Sequence, residues 1–270
     1  MKGPLALLAN SLRRVRFLVL TLGVLMAGFQ ILLTLVAGSI ERSHGFGDLS
    51  ALIPDFMQQI MGPAFVGLMS FGGIVCVGYF HLAVMGSLIG LVIAVATEPA
   101  AEIESGVMDL ILSRPIARPW VILRSVVLLV ICTVFVLLMM MLGTSAGLRL
   151  LAPVGAVWPT CQLIRSLAIN LGVLMFCWGG ITLAISSTCR RRSIAGALAG
   201  VLALTTFLLD YVARAWEPAE SVAWLSPFRY YSPLDLVTGL GIPAKNLWVL
   251  GGIGVAGIAF AYWYFSRRDI

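Results

Sequence analysis

Between residues 17 and 265 the chain runs again and again through apolar stretches almost free of charge. The first, FLVLTLGVLMAGFQILLTLVAGSI, extends from Phe17 to Ile40. A stretch of about 20 such residues is what an α-helix needs to cross a ~30 Å hydrocarbon core. Inside that core every backbone N–H and C=O must find its partner within the protein, so only helices and closed barrels can cross. Barrel strands alternate apolar and polar residues, and these runs are continuous. The bulk numbers agree: 60% of residues are hydrophobic, 11% are charged, and the mean hydropathy is +1.01. A soluble domain is nearer half apolar and a quarter charged. The expected fold is an all-α polytopic membrane protein with one transmembrane domain over residues 1–270. No cleavable signal peptide is read, because the first apolar run is too long and no small-residue cleavage site follows it.

Six spans are expected, at about 17–40, 79–96, 120–142, 163–189, 193–215 and 247–265. Met1 to Arg16 mixes Leu5, Leu8 and Leu12 with Lys2, Arg13, Arg14 and Arg16, the pattern of an amphipathic helix in the headgroup layer. LSALIPDFMQQIM, starting at Leu49, suggests a short interfacial helix interrupted at Pro54. Met61 to Ala96 is too long for one span, so Gly62 to Gly78 is read as a Gly-rich surface or re-entrant segment. Gly86 with Gly90, and Gly196 with Gly200, stand at spacings that let helices approach closely.

Six spans put both termini on one side. That side, with the 97–124 segment and the Arg190 turn, holds twelve of the eighteen Lys and Arg residues; the opposite loops hold six. The excess places the termini in the cytoplasm. It also accounts for the isoelectric point near 9.4, and no nucleic-acid partner is needed to explain it.

The residues of several chemistries are missing. There is no GxxxxGK[ST] loop; the only lysines are Lys2 and Lys245, and neither follows a Gly-rich turn. No HExxH or G-x-S-x-G occurs. His44 and His81 stand apart, as interfacial residues rather than ligands. Cys76, Cys132, Cys161, Cys177 and Cys189 lie in or beside apolar runs with no ligand spacing. Met139, Met140 and Met141 read as packing filler. Asp210 and Arg214 stand at i, i+4 and can pair. No catalytic, metal or cofactor residues are assigned. A stand-alone secondary carrier or channel, showing ion-driven flux without an ATPase, is the alternative. A membrane enzyme would need a nucleophile deep in a span.

One stretch breaks the monotony: TEPAAEIESGVMDLILSRPIARPWVILR, from Thr97 to Arg124. It gathers Glu98, Glu102, Glu104, Asp109, Arg114, Arg118 and Arg124. Its apolar and polar residues alternate as on a short amphipathic helix. The acids come early and Arg114 late, the favourable order for the helix dipole. Pro115 forbids continuation. The stretch reads either as a short stiff helix at a membrane surface or as a charged loop.

Within it, Glu102-Ile103-Glu104-Ser105-Gly106 followed by Met108-Asp109-Leu110-Ile111-Leu112-Ser113-Arg114-Pro115-Ile116-Ala117-Arg118 resembles the signature of type-2 ATP-binding-cassette (ABC-2) exporter permeases. Val107 departs from the usual Thr, and Pro99 is an extra break. The resemblance implies a cytoplasmic coupling helix between spans two and three, about Ala101 to Ser113, seated in a groove of a separate ABC ATPase. Its docking residues would be Glu102, Glu104, Gly106, Val107, Asp109, Leu110, Ile111, Arg114 and Pro115. It also implies two ATPases that carry ATP and Mg, and a second permease copy, a homodimer in the simplest case. The 217–246 loop would be extracellular and partly re-entrant. The chain would lie in a bacterial cytoplasmic membrane.

Overall fold

The computed structural model of the chain describes residues 2–43, 68–113, 119–241 and 243–267. Its main helices are α1 (Lys2–Arg42), α2 (Phe71–Val77), α3 (Leu82–Ala96), α4 (Glu98–Glu104), α5 (Val107–Leu112), α6 (Pro119–Leu151), α7 (Cys161–Thr188) and α8 (Arg192–Ala213). Short α9 (Glu217–Glu220), two 3-10 turns and α10 (Pro233–Val237) then lead to α11 (Ala244–Arg267). No strand occurs among the described residues. Among those residues, six segments are long and apolar enough to cross a membrane: Leu7–Arg42, Phe71–Ala96, Trp120–Leu151, Cys161–Thr188, Arg192–Ala213 and Ala244–Arg267. The protein is a multi-pass helical membrane protein, as expected. The expected helix around Pro54, and residues 62–67 of the Gly-rich stretch, lie outside the described residues.

The expected amphipathic N-terminal helix and the first span are one element. Beyond Pro4, which a first helical turn tolerates, nothing up to Gly23 interrupts the backbone ladder. Along α1, Ser11, Val15, Val19, Met26, Gln30, Thr34 and Ala37 are buried, a single stripe at near-helical spacing. That stripe lies against α6, whose Gly143 and Gly147 face Ala27 and Thr34 with no room for a Cβ. A second backbone-to-backbone seam joins α7 to α11 through Gly180, Gly254 and Gly257. The glycines that pack helices are therefore not the expected pairs. Gly86, Gly90 and Gly200 face open space, and Gly196 meets only Ile93 at 3.8 Å.

The second span also begins earlier than expected. Phe71–Val77 is helical, so the glycines after Ser70 enter the bundle, and the chain breaks at Gly78–His81 before α3. Breaking a helix within apolar surroundings frees backbone groups that need partners. The Tyr231 hydroxyl donates to the Tyr79 carbonyl at 2.9 Å, and the Tyr79 and Thr144 hydroxyls pair at 3.0 Å. His81 Nδ1 accepts from the Ala83 N–H at 3.2 Å; this histidine caps α3.

The segment before α11 folds into the bundle. Ser226 Oγ donates to the Thr206 carbonyl at 2.8 Å, about 10 Å short of the end of α8 at the helical rise. Phe228 packs between Trp178 of α7, tilted at 5.6 Å, and Phe207 of α8, edge to face at 5.4 Å. The two ends of the bundle each carry exposed tryptophans. Trp120 and Trp263 mark the α4–α5 end; Trp158, Trp216, Trp224 and Trp248 mark the other. Such belts sit at the two membrane–water interfaces.

Candidate docking site at the polar elbow

Thr97 ends α3, its Oγ1 donating back to the Ile93 carbonyl at 2.8 Å. Pro99 then stands in the first turn of α4, where its missing N–H costs nothing. The helix lasts only to Glu104, because Gly106 takes φ +70°, a left-handed conformation glycine adopts without strain. The single helix expected over 101–113 is thus an elbow of two short helices, α4 and α5, hinged at Gly106.

Helical periodicity puts Glu98 and Glu102 on one face of α4, and that face turns inward. Glu102 is 2% exposed. Its two oxygens accept from Arg124 Nη1 at 2.9 Å and Nη2 at 2.6 Å, the bidentate geometry that makes arginine–carboxylate pairs strong. Glu102, expected on the docking surface, instead anchors α4 to α6. Glu98 faces Arg14 of α1 at 3.6 Å. Burial pushes the Glu98 carboxyl above its usual range and the neighbouring Glu102 charge adds to this, while Arg124, Arg14 and Arg192 pull the other way.

The outer face of α4 reaches α8. Glu104 Oε2 accepts from the Arg192 backbone N–H at 2.9 Å, closing the free donor at the first turn of α8 where an acid is favoured. The Arg192 guanidinium donates to the Ala94 carbonyl at 2.9 Å. Three charged links therefore run from one short helix to α1, α6 and α8. Met108 of α5 is fully buried, and Val107 and Ile103 pack half-buried beside the core.

Among the described side chains of the elbow, Glu104, Ser105, Gly106, Leu110 and Ser113 remain outside. Leu110 is 69% exposed. Of the expected docking residues, Glu104, Gly106 and Leu110 are among these, while Val107 leans inward. Asp109 and Ile111 lie in α5 with only their backbones described, and Arg114 and Pro115 fall outside the described residues. Arg14 and Arg192 are not among the expected site residues. Their signal is scarcity: in a chain 11% charged, a charge beside a span calls for a partner. No group of His, Cys, Asp and Glu able to hold a metal occurs among the described residues.

Six helical spans with a polar elbow braced at one end define a membrane transport component. The chain belongs to the ABC-2 family transporter proteins, whose family model matches residues 8–270. No curated protein matches it. The chain is thus an ABC transporter permease.

Proposed function

We propose that this permease belongs to an exporter and converts ATP hydrolysis in a separate subunit into movement of its own spans. The observation that carries this reading is the elbow. Its tip offers an apolar side chain, Leu110, to the outside, while its base is linked to three long helices. A force on the tip reaches α1, α6 and α8 together.

In this reading the α4–α5 elbow is the coupling helix. Leu110 and Ile111 enter an apolar part of the ATPase groove, Glu104 and Asp109 meet its basic groups, and Gly106 sets the angle between the halves. Val107, Arg114 and Pro115 complete the docking segment. ATP and Mg stay on the ATPase. Two ATPases serve two permease copies, in a bacterial cytoplasmic membrane with both termini and the elbow in the cytoplasm. The excess of Lys and Arg at the elbow end supports that orientation.

Leu110→Asp tests it in the full chain co-expressed with a candidate partner ABC ATPase. Because Leu110 is exposed, the variant is expected to melt as the parent does and to lose co-purification of the ATPase. Undiminished co-purification by Leu110→Asp and by Asp109→Lys overturns the docking assignment.

A further inference from the structure

At the end of the bundle opposite the elbow, α6, α7 and α11 enclose an open cavity of about 900 Å³, at the upper end of the volumes typical of ligand sites. Its walls are apolar: Val134 and Leu138 from α6, Ile169 and Phe176 from α7, Trp248 and Val255 from α11. Most of these are exposed, Trp248 at 80%. Gly251 and Gly252 of α11 leave open space above them. Apart from Thr133 and the Trp248 indole, Arg165 is the only polar side chain on the wall among the described residues.

The depth of the cavity selects its occupant. Arg165 to Phe176 along α7, and Ala244 to Val255 along α11, each rise about 16 Å. That is close to half of a ~30 Å hydrocarbon core, the depth of one leaflet. Leu163 of α7 and Val237, just before α11, share a small hollow, so the two helices start at the same end. Arg165 and Trp248 each stand in the second turn of their helix, at the level of the aromatic belt. Lys245, next to the wall residue Ala244, is exposed in the first turn of α11. Neither Arg165 nor Lys245 meets a carboxylate among the described residues. The groove is thus apolar along one leaflet, with Arg165 on its wall and exposed Lys245 beside its rim, both at headgroup depth and neither paired with an acid among the described residues.

The geometry points to a binding site for an anionic glycerophospholipid of the surrounding bilayer. One acyl chain lies along the cleft between α6 and α11. The headgroup phosphate accepts from the Arg165 guanidinium, with the Lys245 ammonium beside it, and the Trp248 indole borders the glycerol region. This site is independent of the ATPase coupling proposed above, since it lies at the other end of the bundle and uses none of its residues.

The test is native mass spectrometry of the purified full chain with equal phosphatidylglycerol and phosphatidylcholine. The parent is expected to retain phosphatidylglycerol over phosphatidylcholine. The double variant Arg165→Gln/Lys245→Gln, changed only at exposed positions, is expected to lose roughly ten- to thirty-fold of that preference. Gly251→Leu fills the groove and is expected to lower retention of both lipids. Equal retention of the two lipids by the parent, or an undiminished preference in the double variant, overturns the site. So does cross-linking of Gly251→Cys chains to one another in the membrane, which would show a second copy in the groove.

Discussion

Glu102–Arg124 and Asp210–Arg214 are made of the same two chemical groups and do different work. The first joins residues 22 apart in sequence and is sealed, with side chains 3% and 4% exposed. The second spans one turn of α8, and its arginine is 63% exposed. Water reaches and screens the arginine of the second pair, although its aspartate is largely buried; the first pair is closed to water on both sides. Stripping hydration from two charges costs several kcal/mol per ion, and only close geometry offsets it. A buried pair is therefore poor evidence of net stability. It is good evidence that one arrangement of α4 and α6 is enforced, because any other leaves a charge alone. That suits the force-transmitting role proposed for the elbow.

The widest separation between the pairs should come from removing one partner of the buried one. Arg124→Met strands the Glu102 carboxylate and is expected to destabilise the protein by about 3–5 kcal/mol, read as a lowered thermal midpoint in detergent. The double variant Glu102→Leu/Arg124→Met should recover most of that loss. A single variant as stable as the parent would show that water reaches the pair.

Glu98 lies between the extremes, buried yet only loosely faced by Arg14. Its folded carboxyl binds a proton more readily than the unfolded one, whose ordinary value is 4.5. The stability this contributes is full below that pH and is lost as pH rises through the higher folded value. The thermal midpoint of the parent is expected to decline over that window relative to Glu98→Gln. Parallel curves for the two would mean that Glu98 titrates as if exposed.

The smallest effect belongs to Asp210→Asn. An i, i+4 pair whose arginine stands in water contributes about 0.3–0.5 kcal/mol, so the midpoint should barely move, and raising the salt should shrink the difference further. A loss comparable to that of Arg124→Met would erase the distinction between the pairs.

Much of the elbow is legible in the sequence: its place between two spans, its acids and its family signature. Two things are not. Gly106 reads as one more docking residue rather than as the hinge that splits the helix, since a glycine in a helical pattern carries no record of its φ. Glu102 is expected outside because spacing shows which residues share a face but not which way the face turns. The same rotation decides the glycines: Gly196 and Gly200 have the spacing of a packing motif, and Gly180 and Gly254 have the neighbours.

The amino-acid sequence by itself determined that this chain crosses a membrane as helices, roughly where, and which family it belongs to. Those properties rest on hydropathy and local patterns that need only a few consecutive residues. Tertiary structure decided that α1 is unbroken, that the second span begins at Phe71 and bends at Gly78–His81, and which donor answers which acid of α4. The links Glu98–Arg14, Glu102–Arg124 and Glu104–Arg192 join groups from distant stretches. Only the rotation and depth of packed helices bring them within reach, and no local pattern encodes either.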